Sequence, residues 1–234
     1  MIVGHGLIAR SFASYLKDSA DICLYAAGVS NSSTDVIVEF ERERHTLLSA
    51  IAALDSQQHI IYLSTCHLVE DGAAQTPYMR HKLAMEEIVQ TCPSFLIVRL
   101  PLVVGYSNNP HTLLNYLANH IRRSYRFTGW TTARRGLIDA MDMARIVNAI
   151  VQNRWAHNCI LSLAGPQIYT VPEIVSTMAE VIGRDALVDW QPKVSDFKLN
   201  PQVTLDFADR IGMKFGENYL FNTLHKYYST MYAE

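Results

Sequence analysis

Tyr78 and Lys82 stand four positions apart in the run Tyr78-Met79-Arg80-His81-Lys82, and Ser64-Thr65 precedes them by about a dozen positions. On a helix a spacing of four puts both side chains on one face, one turn apart. An ammonium beside a phenol favours the phenolate, so Lys82 is expected to pull Tyr78 below its unperturbed value of roughly 10. Such a phenol can give or take a proton on a substrate oxygen near neutral pH. The hydride that accompanies that proton cannot come from a side chain and needs a nicotinamide. The segment Gly4-His5-Gly6-Leu7-Ile8-Ala9 offers a place for one. A GxGxxA turn between a strand and a helix lets the backbone approach a pyrophosphate and aims the helix N-terminus at its charge. Taken alone, the same pattern also suits a flavin, a plain nucleotide or a tight turn with no ligand.

These residues need elements to position them, and the hydrophobic periodicity supplies them. Met1 to Val3 is a brief strand leading into Gly4. Leu7, Ile8, Phe12 and Leu16 are spaced as one face of a helix. Ile22 to Ala27 reads as a buried strand ending at Gly28. Residues 39–54 read as a helix with Leu47, Leu48 and Ile51 inward and Glu41 and Glu43 outward. His59 to Ser64 is a strand, Tyr78 to Gln90 a helix with His81 turned away from the site, and Phe95 to Leu100 a strand stopped by Pro101. This alternation predicts an α/β fold with a parallel sheet covered on both faces. Further on, helices are expected at 112–122, 142–152, 171–182 and 219–228, with a strand at 159–164. Asp142 is expected to cap its helix. Pro110, Pro166, Pro172, Pro192 and Pro201 interrupt this half. The expected organisation is a Rossmann-type domain over 1–165 and a smaller, mainly substrate-binding lobe over 166–234, discontinuous and joined by parts of 105–140.

Composition excludes several classes. With 49% hydrophobic and 18% charged residues over 234 positions, the chain has material for a sizeable core. The net charge is −2 and no basic block occurs, which argues against nucleic acid as a partner. Cys23, Cys66, Cys92 and Cys159 form no CxxC pair and read as reduced thiols of a cytoplasmic protein. The nine histidines include no HxxxH or HExxH, so no metal site is expected. No apolar run reaches the roughly 18 residues of a membrane span, and no signal peptide is visible.

The order of these pieces resembles the extended short-chain dehydrogenase/reductases that act on nucleotide sugars, the NAD-dependent epimerase/dehydratase family. The glycine turn comes first, then the Ala26-Ala27-Gly28 strand end, Leu63-Ser64-Thr65, and Tyr78 with Lys82. Arg99-Leu100-Pro101-Leu102-Val103-Val104-Gly105, Arg135 to Asp142, Ala164-Gly165-Pro166 and Thr170 to Val175 follow. The resemblance implies a catalytic set of Thr65, Tyr78 and Lys82. Gly4, Gly6, Leu7, Ile8, Ala26, Ala27, Gly28 and Pro101 would line the cofactor, together with Tyr78 and Lys82. Ser64, His67, Asn108, Asn109 and Arg135 would meet the substrate, with Arg135 on a nucleotide diphosphate. Ser64 is the rival of Thr65, and Arg135 could equally be a solvated charge beside Arg134.

The chain also departs from that family. The acidic residue expected roughly 20 positions after the glycine turn, on the ribose, is replaced by Ala26-Ala27-Gly28, so NAD and NADP both stay open. Two strands normally found between Leu16 and Ile22 are missing, which predicts a reduced sheet, and the loop between Thr65 and Tyr78 is short. The family's sugar dehydratases carry an Asp-Glu pair after the Thr. Here Cys66 and His67 stand there, which argues against dehydration. The reading is an NAD(P)H-dependent reductase of a nucleotide-linked 4-keto-6-deoxy sugar, as a cytoplasmic homodimer, in surface-polysaccharide precursor synthesis. A 4-epimerase with tightly held NAD is the enzymatic alternative, and a dinucleotide- or sugar-nucleotide-binding protein the non-enzymatic one.

Overall fold

A computed structural model describes residues 1–17, 19–69, 76–192 and 199–229. In chain order the elements are β1 (Ile2–Val3), α1 (Leu7–Leu16), β2 (Ile22–Tyr25), α2 (Ile37–Ala52), β3 (His59–Thr65), α3 (Pro77–Gln90) and β4 (Phe95–Leu100). Next come β5 (Leu102–Val104), α4 (Leu113–Arg122), β6 (Phe127–Trp130), β7 (Arg134–Asp139), α5 (Ala140–Gln152) and β8 (Cys159–Ser162). The chain ends with β9 (Ile168–Thr170), α6 (Val171–Ile182), β10 (Val188–Gln191), α7 (Pro201–Arg210) and α8 (Tyr219–Tyr228). They form two compact units, one of Met1–Leu100 with Ala140–Leu163, the other of Pro101–Asp139 with Ala164–Glu234.

The first unit is a five-stranded, wholly parallel sheet in the order β1-β2-β3-β4-β8. Alternate residues along its strands enter one cluster: Cys23 and Tyr25, Ile60 and Tyr62, Phe95 and Ile97, packed with Leu47 and Ala50 of α2 and Met85 and Val89 of α3. The opposite parity, Ile22, Leu24, Ile61, Leu96 and Val98, is buried as well. A strand buried on both faces reads as an unbroken apolar run, which is why these strands stand out in the sequence. Helices α1 and α5 pack on one another with Phe12, Leu16, Ile146 and Ile150 inside. The chain passes from α1 to β2 across residues 17–21, and β1 pairs with β2 alone among the described residues.

The second unit holds β5-β7-β9, with β5 parallel and β9 antiparallel to β7, and a parallel pair of β6 with β10. Leu114, Leu117 and Ile121 of α4, Ile174, Val175 and Met178 of α6, and Leu220, Leu224, Tyr227 and Tyr228 of α8 make its core. Helix α6 begins in a capping box: Thr170 accepts from the Glu173 N–H, and the Glu173 carboxylate accepts from the Thr170 N–H.

Three local expectations change. The helix expected at 142 starts at Ala140, so Asp142 lies within the first turn of α5 rather than at its cap. Helix α7 and strands β5, β6, β7, β9 and β10 are not among the expected elements; the strands span only three to six residues, too few periods for alternation to register. Glu43 is not outward: it is fully buried, in one stripe with Leu47 and Ala50 at the i, i+4, i+7 positions of α2.

Candidate active site

The carboxyl ends of β1, β2 and β3 carry the glycine turn, the Ala26-Ala27-Gly28 segment and Ser64-Thr65 in turn, and α3 brings Tyr78 and Lys82. Ligands of open parallel sheets bind at this edge. Helix α3 is set by Thr76, whose hydroxyl accepts from the Met79 N–H, and by Pro77 at its first position. Tyr78 is hydrogen-bonded to Thr65 and sits in a small apolar cluster with Val29 and Met79. The Thr65 hydroxyl also accepts from the His67 N–H at 3.3 Å. The Ser64 hydroxyl is buried, with no hydrogen-bond partner among the described residues. Neighbours on a strand point to opposite faces, so Thr65, and not Ser64, is the one that meets Tyr78. His67 is half-buried in the 3-10 turn Cys66–Val69. Most of the short loop beyond it, residues 70–75, lies outside the described residues.

Lys82 is buried with its Nζ 5.9 Å from the centre of the Tyr78 ring and 5.3 Å from that of Tyr62. It donates to Glu43 Oε1 at 2.9 Å and to the Tyr62 hydroxyl at 3.2 Å. Glu43 collects three further donors: the Tyr62 hydroxyl at 2.8 Å, the Val29 N–H at 2.6 Å and His81 Nε2 at 2.9 Å. The Tyr25 hydroxyl donates to the Glu43 backbone carbonyl. Burial alone would raise the Glu43 carboxyl, but Lys82 and the hydrogen bonds of His81 and Val29 outweigh it and bring it down to about 2. His81 is therefore turned inward, stacked on Phe40 at 4.6 Å and bonded to Glu43, rather than away from the site.

This arrangement corrects the expected ionisation of Tyr78. Burial raises the phenol above its ordinary value; Lys82 works against that, while Glu43 reinforces it. The net direction is upward. Tyr62 is also pushed well up, chiefly by burial and then by the Glu43 charge. The sequence signal for Glu43 was its position four residues before Leu47, a charged residue in a core stripe.

The glycine turn fits the diphosphate of a dinucleotide. Gly4 has φ +113°, and a Cβ there would lie 2.5 Å from the Ala26 carbonyl oxygen, so glycine is needed for β1 to leave the sheet beside β2. Gly6 is different: a Cβ there would meet open space. It precedes α1 with no side-chain cap and no acidic residue in the first turn, so no side chain of the turn would compete with an anion for the N–H groups at Leu7 and Ile8. Ala26 and Ala27 are half-buried and small. Gly28 has another use: a Cβ there would lie 2.6 Å from Lys82 Nζ and 3.0 Å from Glu43 Oε1. The missing side chain makes room for the ion pair.

The remaining candidates belong to the second unit. Pro101 opens it, half-buried. Asn108 is exposed. Asn109 shapes the turn into α4: its side chain accepts from the His111 N–H and its carbonyl from the Asn115 amide. Arg135 lies on β7 opposite Tyr169 and donates to the Arg134 carbonyl at 2.6 Å. Among the described residues no group of three His, Cys, Asp or Glu side chains is arranged to hold a metal ion. No described helix is long and apolar enough to cross a membrane.

A parallel α/β sheet with a glycine turn on its first strand and a Thr-Tyr-Lys set on its third strand and third helix defines a dinucleotide-dependent enzyme class. The sequence matches the NAD dependent epimerase/dehydratase family over residues 10–163, and the chain belongs to that family of NAD(P)-dependent short-chain dehydrogenase/reductase enzymes. No curated protein matches the chain in sequence. Among solved structures, RMD from Pseudomonas aeruginosa complexed with NADPH is similar at 14% identity and a TM-score of 0.71, covering 98% of this chain and 97% of that one. A dTDP-4-dehydrorhamnose reductase from Clostridium acetobutylicum gives 16% identity, a TM-score of 0.69 and coverage of 97% and 96%. UDP-glucose 4-epimerase of Thermus thermophilus in complex with NAD gives 15%, 0.70, and coverage of 97% and 84%. At these identities the likeness is one of fold.

Proposed function

We propose that this protein is an NAD(P)H-dependent reductase of a nucleotide-linked keto sugar, a 4-keto-6-deoxy sugar in the synthesis of surface-polysaccharide precursors. The observation that carries the reading is the Thr65–Tyr78 hydrogen bond with Lys82 one helical turn away. A dinucleotide bound at the Gly4–Ala9 turn supplies the hydride. Thr65 offers its hydroxyl to the carbonyl oxygen that becomes an alkoxide, and Tyr78 gives that oxygen its proton. Lys82 keeps a cation close to the phenol. Tyr78 with its proton held on is the form a reduction uses, whereas an epimerase must first take a proton from an alcohol. Cys66 and His67 stand where the family's dehydratases carry an acidic pair directly after the Thr, which argues against dehydration. Similarity over nearly the whole length to a structure named as a dTDP-4-dehydrorhamnose reductase, and to another complexed with NADPH, supports the same choice.

Arg135 is proposed to receive the diphosphate, with Asn108 and Asn109 near the sugar. A cytoplasmic homodimer fits the free cysteines and the exposed Val36, Ile37, Val38 and Leu48 on and before α2. The test is a thermal shift with NAD, NADP, NADH and NADPH, each alone and with dTDP, UDP or GDP, on the wild type and Tyr78→Phe. A ligand at a hundredfold excess over its Kd stabilises by about 2.7 kcal/mol. The expected result is a shift with one reduced dinucleotide, enlarged by one nucleoside diphosphate and equal in both proteins, with turnover about 10²–10⁴-fold lower in Tyr78→Phe. No shift with any dinucleotide would overturn the reading. Oxidised dinucleotide retained through purification would favour the epimerase.

A further inference from the structure

Glu43 is the one carboxylate in contact with the Thr65–Tyr78–Lys82 group among the described residues, and nothing in a simple reduction calls for it. Its side chain is fully buried, under an ammonium, an imidazole, a phenol and a backbone N–H that all point at it. A buried pair of this kind is seldom worth more to stability than apolar residues of the same volume. Three other segments converge on it: the Val29 loop, β3 through Tyr62, and α3 through His81 and Lys82. Gly28 leaves the space that lets Lys82 reach it.

We propose that Glu43 is a positioning residue of the site: it holds Lys82 in place and offsets its charge, so that Tyr78 remains a neutral proton donor through the neutral pH range. Among the described residues of the first unit the titratable groups that face Tyr78 are Lys82 on its own helix, Cys66 in the 3-10 turn, Tyr62 on β3, and Glu43 on α2. Thr65 is its hydrogen-bond partner, and His81 faces Glu43 instead. Two of these groups carry full charges of opposite sign, 2.9 Å apart, so the phenol meets a salt bridge rather than a lone cation. A lone Lys82 would favour the phenolate, the form that removes a proton from an alcohol; Glu43 offsets that pull, so burial keeps the phenol, the form that protonates an alkoxide. The direction of catalysis this suits rests on the reductase reading, but the charge arrangement is tested in the free protein without substrate.

The experiment is NMR of protein carrying ¹³Cζ-tyrosine, titrated from neutral to alkaline pH, with the Tyr78 signal assigned by its loss in Tyr78→Phe. Glu43→Gln should ionise Tyr78 at a pH at least one unit below the wild type, a tenfold or larger rise in phenolate at fixed pH. The double variant E43Q/K82M removes both charges and should return the onset to within half a unit of the wild type. An unchanged onset in Glu43→Gln overturns the proposal. If Glu43→Gln alone does not fold, the double variant decides: an onset well above the wild type means Lys82 acts uncompensated, and the proposal fails. These outcomes do not depend on turnover, so a protein that reduces no keto sugar can still pass, and an active reductase can still fail.

Discussion

Thr65 has two hydrogen-bonding roles at once, to the Tyr78 phenol and from the His67 N–H. Substituting valine keeps the shape and removes the hydroxyl, leaving Tyr78 without that partner and a substrate oxygen without its donor. Thr65→Val is expected to lower kcat by about 10²–10³-fold, the cost of losing one donor aimed at a developing oxyanion. Circular dichroism should show the fold intact. Activity within threefold of the wild type would return the role to Ser64, whose hydroxyl beside it is buried and has no partner among the described residues.

Between β2 and α2 the chain must pass close under Lys82, and Gly28 is the residue that permits it. Gly28→Ala drives a methyl to 2.6 Å from Lys82 Nζ, with Glu43 at 3.0 Å. Overpacking of this kind costs about 1–3 kcal/mol, and here it also displaces the ammonium from Tyr78. Urea unfolding should show that loss. Gly6→Ala is the control, because its methyl enters open space at the start of α1. Its stability should stay within about 0.5 kcal/mol of the wild type while dinucleotide binding weakens. Equal destabilisation by both variants would mean that the two glycines share one packing role.

Stability of the whole molecule should depend on mild acid through a site remote from Tyr78 in function. His59 at the start of β3 is bonded to Ser94 and stacked on His157 at 5.4 Å. Burial first, and the neighbouring His157 second, lower it to about 4. In the unfolded chain it titrates near 6.5. The unfolded state therefore binds more protons between those values, and this contribution is present above about 6.5 and lost as pH falls through 4. Glu43 adds a second acid limb of the same sign, present above the unfolded carboxylate range and lost towards about 2. Melting temperature should fall from pH 6.5 to 4, and His59→Gln should flatten that part of the curve. A wild-type Tm constant over this range would contradict the assignment.

The strand Phe95–Leu100 and the helices Val171–Ile182 and Tyr219–Tyr228 have the limits their periodicity indicates, and the parallel sheet follows from their alternation with the earlier strands. The Tyr-Lys pair on one helical face and the glycine turn were legible for the same reason: each depends on spacing along one element. Pairing of β1 with β2, after the short passage from Leu16 to Ile22, follows from chain length alone. The ionisation of Tyr78 does not. It depends first on burial of the phenol, then on Lys82 and on a carboxylate from α2 that periodicity places outward because charge usually is, held by donors from residues 29, 62, 81 and 82. Local pattern sets which face a side chain shares with its own element, so the sequence alone determined the fold class and the candidate catalytic residue types. The ionisation of a buried phenol is set by its desolvation and by charges from several segments, and only the tertiary structure, by burying Tyr78 and setting Glu43 against Lys82, decided its direction.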